Sequence, residues 1–358
     1  MRFPLVDGDN SEINYEKSIA MVRYAIDNGL NYIDTAYNYH GGNSEKFVAK
    51  ALEDGYREKV YIATKNPVWL VEKYEDFERL LDEQLENLNT DYIDFYLLHS
   101  LHKKAWDKIV KLGVFDFIEE AKKKGKIKYM GFSFHDELSL FKEIIDSYDW
   151  DFCQIQLNYM DREFQAGIAG LEYAASKDIS VVIMEPIKGG KLVDSPREVM
   201  DIFNENDIKR SPAAWALKYL YDFDDIAVVL SGMSTMEHVK ENIETAKETS
   251  KLTSKELEII DRVTEVYRDK IKVDCTSCRY CIPCPTNVAI PDIFQQYNDI
   301  YVYNRLEFSQ NNYKNLIENE KDASQCIECG ECEAICPQHL EIIQLLKDSE
   351  AALCHPER

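Results

Sequence analysis

Two short cysteine runs near the C-terminus limit what this chain can fold into more than any other feature. They read Cys275-Thr-Ser-Cys278-Arg-Tyr-Cys281-Ile-Pro-Cys284-Pro285 and Cys326-Ile-Glu-Cys329-Gly-Glu-Cys332-Glu-Ala-Ile-Cys336-Pro337, and they hold eight of the ten cysteines. Three thiolates at two-residue gaps curl round one corner of an iron–sulfur cube, and a fourth followed by proline closes a site. The backbone must therefore wrap a small domain around two inorganic centres that store and pass single electrons. Structural zinc is the alternative, because four thiolates also suit a tetrahedral ion, but zinc motifs usually pair separated Cys-x-x-Cys halves. Disulfides are not expected, since 358 residues bury a full core without staples and no secretory leader opens the chain. Cys153 reads as a small buried hydrophobe and Cys354 as a tail thiol.

In two-cluster ferredoxins the fourth cysteine of each run ligates the other cluster. Applied here, Cys275, Cys278, Cys281 and Cys336 would hold one [4Fe–4S], and Cys326, Cys329, Cys332 and Cys284 the other. The first run is one residue shorter than the usual spacing, which leaves direct ligation open as well. Between the runs, Ile293, Phe294, Tyr297, Ile300 and Tyr301 recur at helical intervals. A small, mostly helical ferredoxin-like domain is expected over residues 271–358.

Formal charge is −23, before any cluster thiolates are counted. Such a field repels nucleic acid and anionic membranes, so neither is expected as a partner. No apolar run reaches bilayer length. Cysteine used as thiolate points to a reducing, cytoplasmic location. The sequence carries no reading of oligomeric state.

Residues 1–270 alternate short apolar runs with amphipathic segments. The runs are Tyr32-Ile33-Asp34, Val60–Ala63, Ile93–Leu98, Lys128–Phe132, Phe152–Gln156, Val181–Met184 and Ile226–Leu230. Between them lie segments such as Phe77, Leu80, Leu81, Leu85 and Leu88. Seven strands with intervening helices predict a (β/α)8 barrel over a doubly wound sheet. Polar side chains collect where the strands end: Asp34 and Tyr39, Thr64 and Lys65, His99, Ser133 and His135, then Gln154, Gln156 and Asn158. In a barrel those ends converge on one mouth, where active sites form. Singly each has a plain structural reading, as a helix cap, a loop charge or a core histidine.

Together they resemble the aldo-keto reductases in order and spacing. The resemblance runs from Asp34-Thr-Ala-Tyr-Asn-Tyr39-His-Gly-Gly-Asn-Ser-Glu45 through Ala63-Thr64-Lys65 and Asp94-Phe-Tyr-Leu-Leu-His99 to Gly131-Phe-Ser133 and Gln154-Ile-Gln156. With the cysteine tail, the chain is similar to the branch fused to a C-terminal 4Fe–4S ferredoxin-type domain. The resemblance implies that Tyr39 protonates a carbonyl oxygen, that Lys65 lowers its pKa, that Asp34 orients Lys65, and that His99 donates to the same oxygen. It implies that Ser133 and Gln154 hold the carboxamide of a nicotinamide coenzyme, which supplies hydride.

Three departures follow from the same comparison. The family's N-terminal hairpin and most of its first strand have no counterpart here, so the barrel's first strand is expected to be truncated. Met184 stands where an aromatic ring usually stacks on nicotinamide; it reads equally well as ordinary core. Gly232 and His238 stand where a lysine and an arginine usually grip the 2′-phosphate, so NADH is expected over NADPH. Gly232, Ser234 and the amides opening the next helix, with Asn242 further along it, remain available for a pyrophosphate.

The leading expectation is a redox enzyme that couples hydride chemistry on a small carbonyl substrate to electron transfer through both clusters. A hydride carries two electrons and a cluster passes one, so flavin is a candidate converter, and a ferredoxin or flavoprotein a candidate redox partner. Two other readings stand beside it. One is a simple NAD(P)H-dependent carbonyl reductase with structural or sensing clusters. The other is a non-catalytic electron-transfer or cofactor-sensing subunit. Trp69, Trp106 and Tyr159 could line the substrate pocket or merely pack.

Overall fold

The computed structural model describes residues 2–6, 8–277 and 279–354. Cys278, predicted as a cluster ligand, lies outside the described residues. The chain divides into two compact units, one formed by residues up to 189 together with 213–253, the other by 190–212 together with 254 onward.

The first unit is a curled parallel sheet with helices around it. Its strands are β1 (Tyr32–Asp34), β2 (Tyr61–Asn66), β3 (Ile93–Leu101), β4 (Ile127–Phe134), β5 (Phe152–Gln156), β6 (Ser180–Met184) and β7 (Ile226–Val229). They are hydrogen-bonded in sequence order, all parallel. These are the seven strands read from the sequence. Helix-covered parallel strands are buried on both faces, which is why they appear as continuous apolar runs without polar alternation. Among the described residues no further strand pairs with the outer edges of β1 and β7. The N-terminal segment contributes one antiparallel bridge, Leu5 to Ile13, and a buried Phe3 whose ring lies 4.3 Å from that of Phe47.

The helix Tyr74–Leu88 shows how sequence sets packing. Phe77, Leu80, Leu81 and Leu88 form its buried stripe, and Asn89 ends it in the left-handed conformation. Gln84 is buried on the same stripe while Leu85 is only half-buried. The Gln84 side chain instead reaches β2, where it donates to Thr64 and to the Lys65 carbonyl. At the N-terminal ends of the strands, Asp94 accepts from Arg57 at 2.9 Å, Lys128 at 3.0 Å and the Ile62 amide at 3.0 Å, tying β2, β3 and β4 together.

The second unit is helical. The helices Ile290–Tyr303 and Ile342–Cys354 bury Ile290, Ile293, Phe294, Ile342 and Leu346 in one core, with Tyr313 from the helix Leu306–Glu318. Cys275, Cys281, Cys284, Cys326, Cys332 and Cys336 pack against it. The predicted helical spacing of Ile293, Phe294, Tyr297, Ile300 and Tyr301 falls within a single helix. Lys191 joins this unit through an ion pair with Asp299 at 2.6 Å, and Arg210 pairs with Glu256 at 2.5 Å. Cys153, on β5 of the first unit, is fully buried and burial pushes its thiol pKa well up, whereas Cys354 is exposed.

Candidate active site and cysteine-lined cavities

Strand ends bring the predicted catalytic set together. Lys65, on β2, is wholly buried, and its ammonium donates to Asp34 Oδ1 at the end of β1 (2.7 Å) and to the Thr35 carbonyl (2.8 Å). The same nitrogen lies 5.0 Å from the centre of the Tyr39 ring. Burial works against the charge on Lys65, but Asp34 and Tyr39 outweigh it and raise its pKa. The largest influence on Tyr39 is Lys65, which lowers its pKa; burial, Asp34 and Glu185 together override it, so the phenol sits above its ordinary value. Here the structure qualifies the sequence reading, which named Lys65 alone.

A second polar layer holds Lys65 from behind. Gln84 donates to the Lys65 carbonyl (3.0 Å) and to Glu45 (2.6 Å), Thr64 donates to Glu45 (2.6 Å), and Tyr96 donates to Gln84 (2.7 Å). Buried networks of this kind fix geometry when every member finds a partner. Burial raises the Glu45 pKa despite those hydrogen bonds.

His99, on β3, sets its ring 6.0 Å from that of Tyr39 and 5.2 Å from that of Trp69. Burial, then the charges of Lys65 and His135, push its pKa down to about 3, so it is a neutral imidazole at physiological pH. Its buried Nδ1 has no hydrogen-bond partner. His135, at the end of β4, is likewise lowered by burial. Of the predicted pocket aromatics, Trp69 is exposed at the mouth, whereas Trp106 and Tyr159 are buried. Trp106 packs on Phe115 and Trp150, so it is core.

Ser133 accepts a hydrogen bond from the Ser100 amide at 2.8 Å. Gln154 donates from Nε2 to the Met184 sulfur at 3.5 Å, and its Oε1 is buried without a partner. An orphaned buried acceptor beside a soft thioether fits the amide and ring of a nicotinamide. The residues expected to meet a pyrophosphate lie around the helix Met236–Lys247, capped by Thr235, whose hydroxyl accepts from the His238 amide at 3.2 Å. The Ser234 amide donates to His238 Nδ1 at 3.4 Å, and Asn242 donates to Ser231 at 2.9 Å. Gln156 and Asn158 both donate to Asp161, which is also paired with Lys188.

Gln84 beneath Lys65, Arg2 and Glu185 escaped the sequence reading. Arg2 lays its side chain across Gly232, where an added Cβ would come within 3.1 Å of Arg2 Cγ. Glu185 takes a left-handed backbone (φ 59°) at the end of β6 and bears electrostatically on Tyr39.

The cysteines of the second unit surround cavities. Cys284 lines one of about 280 Å³ with Cys326, Cys329 and Cys332, and Cys281 forms part of its wall. Cys275, Cys281 and Cys336 line a second, tighter one. Thus the fourth cysteine of each run stands with thiols of the other run. Among the described residues no three His, Cys, Asp or Glu side chains close in on one point; the thiols stand around space instead. All-thiol rings around a cavity fit iron–sulfur cubes. Burial would raise the Cys284 pKa, but hydrogen bonds from the Thr286 hydroxyl and from the amides of residues 286, 288 and 287 lower it overall.

Comparisons with known proteins agree with this geometry. The Aldo/keto reductase family pattern matches residues 5–265, and that of the 4Fe-4S dicluster domain matches 274–341. The "Uncharacterized oxidoreductase YqkF" of Bacillus subtilis is 26% identical over 70% of this chain and 88% of its own length. The "NADH-specific methylglyoxal reductase" of Escherichia coli is 24% identical over 65% of this chain and 84% of its own. The holo form of aldo-keto reductase AKR11C1 from Bacillus halodurans superposes with a TM-score of 0.59 at 26% identity, covering 74% of this chain and 91% of that one. A parallel sheet carrying Asp34, Tyr39, Lys65 and His99 at its strand ends, followed by thiol-lined cavities, has the meaning those matches give it: the chain belongs to the aldo/keto reductase family and carries a 4Fe-4S dicluster domain as well.

Proposed function

We propose that this oxidoreductase performs hydride chemistry on a small carbonyl compound at the strand ends of its sheet, coupled to one-electron transfer through two [4Fe–4S] clusters. The observation that carries the first half is the buried Lys65 between Asp34 and Tyr39, with neutral His99 beside the tyrosine. In this reading Tyr39 donates the proton as charge develops on the carbonyl oxygen, and Lys65 stabilises the phenolate left behind. His99, kept neutral by burial, donates a hydrogen bond to the same oxygen without adding charge. Ser133 and Gln154 would orient the coenzyme's carboxamide, with Met184 against its ring. Gly232, Ser234, His238 and Asn242 would meet its phosphates. Bound nicotinamide supplies the hydride, and the clusters supply single-electron storage.

The grouping of Cys284 with Cys326, Cys329 and Cys332 supports crossed ligation, with Cys275, Cys278, Cys281 and Cys336 holding the other cluster. We place the functional boundary near residue 270, between the two family matches. The absence of fixed cations at Gly232 and His238 favours NADH, whereas Arg2 over Gly232 works against it. Methylglyoxal, named for one relative, is the first carbonyl to try. The test is anaerobic purification with iron, sulfide and flavin analysis, then oxidation of NADH and of NADPH with methylglyoxal and a panel of aldehydes. About eight irons per chain and turnover abolished by Tyr39→Phe are expected. Four irons, or turnover unchanged in Tyr39→Phe, would overturn the respective half of the proposal.

A further inference from the structure

Around the Cys284, Cys326, Cys329 and Cys332 cavity lies apolar surface that no other part of the described fold explains. Tyr280, Ile282, Ile327 and Ile335 all line that cavity and are 62%, 37%, 64% and 54% exposed. Scattered exposed apolar residues are ordinary, but four converging on one cavity form a patch of the kind that marks an interaction site. Cys329 itself is exposed at the same place. The charge of this domain is mostly acidic, with Arg279 beside Tyr280 exposed and paired to Asp292. Residues 274–341 contain eleven acidic and four basic side chains, and Glu328 and Glu331 stand exposed beside Ile327 and Cys329. Glu331 lines the cavity itself, while Glu328 is shared with Lys347 at 2.7 Å.

We propose that this face docks a one-electron carrier protein whose redox centre is reached through an apolar edge ringed by lysine and arginine. The proposal rests on the reading that the thiols hold clusters. Apolar contact at the centre brings the two redox centres close, while opposite charge at the rim steers encounter and fixes orientation. One electron leaves the reduced cluster and one carrier is reduced. Two clusters thus serve two carriers in succession, which matches the two electrons of a hydride. The same rim repels an acidic carrier, so of the two partner classes expected from sequence, an acidic ferredoxin is disfavoured and a basic-faced flavoprotein or haem protein favoured.

Cytochrome c, whose haem edge is ringed by lysines, is a suitable probe. Dithionite-reduced, iron-loaded protein is freed of reductant and mixed with oxidised cytochrome c in a stopped-flow cell. The second-order rate should fall at least tenfold between low and 0.5 M salt, as opposite charges are screened. The Tyr280→Ser/Ile327→Ser variant should lose about tenfold at low salt, with the electron paramagnetic resonance of its clusters and its reduction by methyl viologen unchanged. A rate unchanged in that variant overturns the proposal. Should the variant lose its clusters, Glu328→Lys/Glu331→Lys gives the same reading: a tenfold loss is expected, and no loss overturns it. A wild-type protein that shows no cluster signal after dithionite would sink the cluster reading itself, a separate result.

Discussion

Replacing Lys65 by methionine tests the catalytic reading through both stability and rate. Lys65 is 0% exposed, and its nitrogen lies 2.7 Å from an Asp34 carboxylate that is itself only 13% exposed. At an effective dielectric constant of about 20, that separation corresponds to roughly 6 kcal/mol of attraction, set against the cost of desolvating both ions. Removing one partner leaves Asp34 with an uncompensated buried charge, which typically costs about 3–5 kcal/mol. Lys65→Met and Asp34→Asn should each destabilise the protein. The double variant should lose clearly less than their sum, with a coupling of about 2–3 kcal/mol. Denaturant unfolding of the four proteins, followed by near-ultraviolet circular dichroism, supplies the cycle. In the rate, Lys65→Met takes away the strongest influence lowering the Tyr39 pKa. A loss of about 10²–10⁴ in kcat/KM is expected, with the alkaline limb of the pH profile moved upward. Additive destabilisations, or a Lys65→Met variant within about 1 kcal/mol of wild type, would refute the reasoning.

Other consequences are equally direct. Gln154→Leu deletes the orphaned acceptor and should weaken nicotinamide binding about 10–100-fold in a fluorescence titration, while Met184 packing is retained. An unchanged dissociation constant would remove Gln154 from the coenzyme site. Cys284→Ser and Cys329→Ser should leave the same residual cluster spectrum, and Cys275→Ser a different one, because Cys284 stands with the second run; matching spectra for Cys284→Ser and Cys275→Ser would mean direct ligation. His99 titrates near 6.5 when unfolded and near 3 when folded, so the unfolded state takes up its proton first as pH falls. The stability margin of wild type over His99→Gln should therefore shrink by about 1–2 kcal/mol between pH 7.5 and 5. A margin independent of pH would contradict a buried neutral imidazole.

The strands were legible because buried parallel strands leave continuous β-branched and aromatic runs, such as Val181–Met184, that need no partner to be recognised. Asp34, Tyr39, Lys65 and His99 were legible because a curled parallel sheet sends all its strand ends to one mouth, so order along the chain implies proximity. Side chains that act across long sequence distances were not. Gln84 lies on a helix stripe that reads as leucine-rich core, and only the fold reveals that it supports the Lys65 backbone. Arg2 reaches Gly232 from the other end of the unit, so nothing local to either residue announced the contact. Glu185 depends on a left-handed turn whose direction the sequence does not encode plainly. The cysteine spacing proposed the ligands, but which thiols share a cavity is set by the packing of the helices Ile290–Tyr303 and Ile342–Cys354.

The central claim is that hydride chemistry and cluster electrons are linked in one chain. It is tested most directly by adding NADH anaerobically to the oxidised, iron-loaded protein and recording the electron paramagnetic resonance spectrum. The account expects reduced-cluster signals to appear with NADH in wild type and to require about 10–100-fold more NADH in Gln154→Leu. Clusters that dithionite reduces fully but NADH leaves silent, in a protein that still oxidises NADH with a carbonyl substrate, would contradict it.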